Sequence, residues 1–179
     1  MWRILAVDDE ENILKAVKRS LISLNGQKLQ IDTYTSPIDA IRRAQDGIPF
    51  DLVLSDYRMP EMNGVAFLKE FKKIQPDAMR IILSGYADLA ALIDAINEVG
   101  IYRFIPKPWN DYDVVQAAEQ AIAHRRLLLE NRRLADLVRL QRGRITRQEL
   151  EFRRIEEETP GITKVKWGPD GEVILEDFE

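Results

Sequence analysis

Short, almost wholly apolar runs alternate with amphipathic stretches through the first 124 residues. Residues 3–7 form the first run, which ends in acids. Residues 29–34 are rich in β-formers, and residues 52–56, 80–84 and 103–105 repeat the pattern. All five read as strands. Between them apolar residues recur at helical spacing: Ile13, Leu14, Val17, Leu21 and Leu24 predict a helix over residues 11–24. Ser36-Pro37 opens a second helix to about Gln45, with Ser at the N-cap and Pro at the first helical position. Residues 64–74 form a third, stopped by Pro76. Residues 88–99 form a fourth, stopped by Gly100, and a fifth starts near Asn110. Strands apolar on both faces suit a parallel sheet with helices on each side, so the fold class is α/β, a doubly wound five-stranded parallel sheet. Ligands bind such folds beyond the carboxyl ends of the strands.

Those ends carry the candidate chemistry. Strand one ends in Asp8-Asp9, strand three in Asp56, strand four in Ser84, and Lys107 lies just past strand five. One acid at a strand end is ordinarily a helix cap or a solvated loop residue. Three carboxylates, a hydroxyl and an ammonium on one sheet edge are harder to explain in that way. Carboxylates crowded together repel unless a cation sits among them. An all-oxygen donor set suits Mg²⁺ or Mn²⁺. One acid could then act as a nucleophile toward a phosphoryl group, giving an aspartyl phosphate. The metal and lysine would neutralise charge on the transferred oxygens.

Four blocks of sequence carry a resemblance: Val7-Asp8-Asp9-Glu10, residues 55–64 (SDYRMPEMNG), residues 83–87 (LSGYA) and residues 103–108 (RFIPKP). In order and spacing they resemble the motifs of bacterial two-component receiver domains, over about residues 1–124. The resemblance implies a flavodoxin-like receiver that accepts phosphate on Asp56. It implies Asp9 as a direct metal ligand, Asp8 through water, and the backbone carbonyl of Arg58 as another. Ser84 would capture a phosphoryl oxygen where many members have Thr, and Lys107 would pair with the phosphoryl. Phe104 would be the rotameric switch aromatic; the alternative is a plain core aromatic. The Lys107–Pro108 bond would be cis. Residues 84–88 followed by residues 101–109 look most like receivers of hydrogenase-type transcriptional regulators and cyclic-di-GMP phosphodiesterase regulators.

The last helix continues past the point where a receiver ends. From Asn110 to Glu158 there is no proline, and Gly143 is the only glycine. Leu127, Asn131, Leu134, Val138, Gln141, Ile145, Gln148, Phe152 and Ile155 recur at 4,3 spacing, with Asn131 at an a position. Arg144 and Glu149 fall at g and the following e, which suits a parallel pair; Glu151 and Glu156 in the next such pair would repel. The pattern predicts a long helix in a coiled-coil homodimer through residues 127–155. The alternative is an antiparallel hairpin bent near Gly143. Beyond Thr159-Pro160-Gly161, residues 162–175 read as a β-hairpin turning at residues 168–171. The expected organisation is a receiver (1–124), a helical coiled-coil extension (125–158), and a hairpin with an acidic tail (159–179).

Charge sharpens these boundaries. Residues 1–124 carry 14 Lys+Arg and 18 Asp+Glu, whereas residues 125–158 carry 10 Arg and 7 acids. Eight arginines fall in residues 125–147, so a nucleic-acid regulator using this helix is the alternative function. No aromatics interleave them, and nucleic acid is not the expected partner. No cysteine and one histidine, His124, exclude disulfides, Cys-ligated metals and His-rich sites. The lack of a long apolar run and of a signal peptide points to a cytoplasmic protein with no membrane contact. No enzyme motif is present, so the chemistry expected is self-phosphorylation and self-dephosphorylation alone. The expected partners are a sensor histidine kinase or phosphotransfer protein, a second copy, and an unknown output protein.

Overall fold

A computed structural model describes residues 1–22, 28–85 and 99–162, and the backbone of 166–167 and 173–174. The elements are β1 (Trp2–Val7), α1 (Glu11–Ile22), β2 (Leu29–Tyr34), α2 (Pro37–Gln45), β3 (Leu52–Asp56), α3 (Gly64–Ile74), β4 (Met79–Ser84), β5 (Arg103–Pro106), α4 (Asp111–Gln141), α5 (Arg147–Glu158), β6 (Lys166–Trp167) and β7 (Val173–Ile174). β1 to β5 form one parallel sheet in the order β2-β1-β3-β4-β5, so the topological switch lies between β1 and β3. The expected helix over residues 88–99 lies outside the described residues, apart from its end.

Strand periodicity sorts the apolar runs into two cores. Ile4, Leu54, Ile81 and Leu83 face α1 and α4, where Leu14, Val17, Leu21, Val114, Ala118 and Ile122 close over them. Leu5, Val53 and Ile82 face the other way, against Ala40, Phe67, Leu68 and Phe71 of α2 and α3. The helix starts follow local chemistry. Ser36 and Asn63 cap α2 and α3 by accepting the amides of Asp39 and Ala66, and Asn110 caps α4 by accepting that of Asp113. Arg80 is a buried strand residue whose guanidinium donates to the carbonyls of Gly100, Pro76 and Ala78, closing the sheet's lower edge.

The unbroken helix expected to Glu158 is instead two helices. Gly143, at φ 64°, ends α4. The Gly143 amide donates to Leu140 O and the Arg144 amide to Arg139 O, the paired bonds of a Schellman stop. Thr146 and Glu149 then cap each other's backbone and start α5. α5 returns along α4. Arg153 reaches the Asp136 carboxylate at 2.7 Å, Glu157 lies 3.6 Å from Arg132, and Thr159 comes back beside Gly47. The antiparallel alternative is thus the form seen within one chain. β6 and β7 pair antiparallel, Lys166 with Ile174 and Trp167 with Val173; the expected turn between them lies outside the described residues. Among the described residues no helix is long and apolar enough to cross a membrane.

Candidate functional site

Three parallel strands deliver the site to one end of the sheet. β1 ends at Val7 and β3 at Asp56, neighbours across the switch point, and β5 leads into Lys107. The Lys107 ammonium lies 2.7 Å from Asp8 Oδ2 and 2.5 Å from Asp56 Oδ1, bridging the two carboxylates. Asp8 is 1% exposed, and its other oxygen accepts the Glu10 amide at 3.0 Å. Asp56 Oδ2 accepts the Arg58 amide at 2.6 Å. The Lys107 amide donates to Ser84 O, and the Tyr57 amide to Leu83 O, so the loops after β3 and β5 are both tied to β4. The Lys107–Pro108 peptide bond is cis.

The electrostatics follow from two acids sharing one ammonium. Burial pushes the Asp8 carboxyl above its usual range, and the Asp56 charge adds to this against the Lys107 and Glu10 donors. Burial alone would lower Lys107, but hydrogen bonds and charge from Asp56 and Asp8 hold it above its ordinary value. The trio is negative by one charge, in a crevice lined by oxygen donors. That donor set fits a hard divalent cation that keeps most of its waters.

Asp8, Asp56 and Lys107 are brought together; other expected members are not. Asp9 stands exposed beside the trio. Among the described residues no three or more His, Cys, Asp or Glu side chains gather as a metal site. For Arg58 the contact to Asp56 is made by its amide. The buried Ser84 hydroxyl donates to Gly85 O at 3.2 Å. Phe104 is half-buried, packed against the α2–α3 core. Gly64, the last residue of the 55–64 block, packs directly under the site. A Cβ there would stand 2.0 Å from the Asp56 carbonyl oxygen, so α3 begins where only glycine fits against the Asp56 backbone.

A family model for the response regulator receiver domain matches residues 4–119. The hydrogenase transcriptional regulatory protein HoxA of Cupriavidus necator is 36% identical over 119 residues, which are 66% of this chain and 24% of that protein. The DNA-binding transcriptional regulator NtrC of Escherichia coli K12 is 32% identical over 121 residues, 68% of this chain and 25% of that one. The chain therefore spans about a quarter of the length of these curated relatives. Among solved structures, an uncharacterized protein from Neptuniibacter caesariensis is 44% identical with a TM-score of 0.66, covering 73% of this chain and 93% of that one. The signal receiver domain of an HD domain-containing protein from Pseudomonas fluorescens Pf-5 is 31% identical, TM-score 0.65, covering 72% and 92%. NtrC is named as a DNA-binding transcriptional regulator, and the expectation that nucleic acid is not a partner finds no support in these relatives.

Proposed function

The chain belongs to the response regulator receiver family, and we propose that it accepts a phosphoryl group on Asp56 from a sensor histidine kinase or phosphotransfer protein. The observation that carries this is Lys107 bridging Asp8 and Asp56 at the switch point. Asp56 Oδ1 attacks the phosphorus of a phosphohistidine: the P–O bond forms, the P–N bond breaks, and the departing imidazole takes a proton. Lys107 leaves the Asp56 oxygen and pairs with the arriving phosphoryl oxygens, while the Arg58 amide keeps the carboxylate oriented. Asp8, Asp9, Asp56 and the Arg58 carbonyl would hold Mg²⁺, with Mn²⁺ as a substitute. When bound, the metal supplies positive charge to the transferred group. The Ser84 hydroxyl turns from Gly85 O toward a phosphoryl oxygen, and Phe104 moves into the space released. Phosphorylation adds about −1.5 to −2 charge, enough to bias the face around β5 and α4 and so the extension. The module signals and turns over no external substrate, and it acts in the cytoplasm.

The test is acetyl phosphate with Mg²⁺, followed by intact mass. The wild type should gain one phosphoryl group and Asp56→Asn none; equal uptake by Asp56→Asn overturns the assignment. Asp9→Ala should weaken Mg²⁺ binding, and an unchanged affinity removes Asp9 from the metal site. A second reading, a nucleic-acid interface on residues 125–147, is favoured by Arg126, Arg133, Arg142 and Arg144. All four are exposed and make no ion pair among the described residues. Salt-independent failure to retain duplex DNA would remove it.

A further inference from the structure

The hairpin uses the wrong face of α4 for a coiled coil. In the heptad register set by Asn131, the residues that hold α5 fall on the outer side: Asp136 at f and Arg132 at b. The a and d positions stay open except Ile145, which is half-buried in the turn. Leu127 is 62% exposed, Leu134 51% and Phe152 58%, with Val138 and Ile155 exposed as well. Beyond residue 124 the only buried residue among those described is Asp136. So α5 docks on α4 by charge and covers none of the apolar seam.

The seam also keeps its register across the bend. Val138, Gln141, Ile145, Gln148, Phe152 and Ile155 continue the 4,3 spacing without a skip, although a bend at Gly143 splits them between two helices and leaves Ile145 in the turn. An inserted hairpin turn has no reason to preserve that phase. We propose that the hairpin is the closed, single-chain form of a segment whose open form is one straight helix paired in parallel with a second copy of this chain. Opening separates Asp136 from Arg153 and Arg132 from Glu157, and releases Glu149 from its cap with Thr146. It joins Leu127 through Ile155 into one seam. The charge pattern fits this occupant: Arg144 at g meets Glu149 at e of the second copy, and Asn131 meets its own counterpart. The Glu151–Glu156 repulsion weakens only the far end. The proposal does not depend on Asp56 being the phosphoacceptor.

The chain has no cysteine, so Arg126→Cys with Glu158→Cys allows two spin labels in the full-length protein. In the hairpin Glu157 lies beside Arg132, six residues from Arg126, so the labels should be within about 20 Å; in a straight helix they are ~48 Å apart. Labelled chains diluted into unlabelled protein report the intrachain distance, and sedimentation reports mass. Gly143→Ala removes the left-handed turn and should tighten dimerisation about 25-fold, the square of a roughly fivefold helix preference for Ala over Gly in each chain. The long distance should appear with the dimer. Asp136→Asn should shift both readings the same way by severalfold. Leu134→Lys, exposed in the hairpin, should return Gly143→Ala to a monomer with the short distance. A dimer that keeps the short distance overturns the proposal, as copies then pair as closed hairpins. Association unchanged by Gly143→Ala and Asp136→Asn, or insensitive to Leu134→Lys, overturns it equally.

Discussion

The receiver and the extension are closed by opposite forces. In residues 1–124 the sheet is sealed by fully buried apolar side chains, Ile4, Leu5, Leu54, Phe67, Phe71 and Ile82 among them. The hairpin is held by one carboxylate, Asp136, 3% exposed, which takes Nη1 of Arg139 and of Arg153 on the same oxygen at 2.7 Å. Its other tie is Arg132, bidentate to Asp77 and close to Glu157. Apolar burial is additive, shape-specific and hardly sensitive to salt, so the receiver's core keeps one packing. Half-exposed ion pairs contribute little each and depend on screening, so the extension can exchange one set of partners for another. A fixed core under Asp56 and exchangeable contacts in the extension are what the proposed switch requires.

Phe71 should show the strongest contrast. It packs against Phe50 and Phe67 in the α2–α3 core, and Phe71→Ala should cost about 3–5 kcal/mol in urea unfolding of the whole receiver. If the loss is no larger than for removal of a hairpin ion pair, the two regions are not closed by different forces. Gly64→Ala tests the site instead of the core. Its Cβ has no space beside the Asp56 carbonyl, so the β3 end must shift, at about 1–3 kcal/mol, and acetyl phosphate uptake should fall well below that of an Ala substitution elsewhere on α3.

Acid separates the regions by a smaller amount. Burial would raise the Asp136 carboxyl, but hydrogen bonds and charge from Arg139 and Arg153 outweigh it and hold the group below the usual carboxylate range. A depressed folded value means that the stabilisation is complete above the unfolded value of about 3.9 and is lost as pH falls through the folded one. Protection of the α5 amides, relative to the unprotected exchange rate, should therefore fall below about pH 4, and Asp136→Asn should shrink that dependence to the part carried by the Glu149 cap. The smallest effect is expected from Thr146→Ala, which deletes the capping box at the start of α5. A loss of about 1 kcal/mol, confined to α5 protection with the receiver's unfolding midpoint unchanged, would show that the hairpin responds independently.

Much of the molecule was decided locally. β2 over Leu29–Tyr34, β3 over Leu52–Asp56, the Ser36-Pro37 start of α2 and the span of α3 all follow from period, cap and stop residues a few positions apart. The residues at the strand ends were equally legible, since a doubly wound sheet must bring Asp8, Asp56 and Lys107 to one edge. The signals for the bend were present too: Gly143 followed by Thr146 and Glu149 spells a stop and a restart. They compete with a heptad register running through them, and near-neighbour rules cannot rank the two. Tertiary structure decided between them, through Asp136 meeting Arg153 across 17 positions and Arg132 meeting Glu157 at the other end of α5. The same holds for the closeness of Gly64 to Asp56 and the exposure of Asp9, which depend on how α3 and the β1 loop settle on the sheet. Periodicity and capping act over one or two turns and are written in order along the chain. Contacts between distant charges and backbones exist only once the sheet has set their separation.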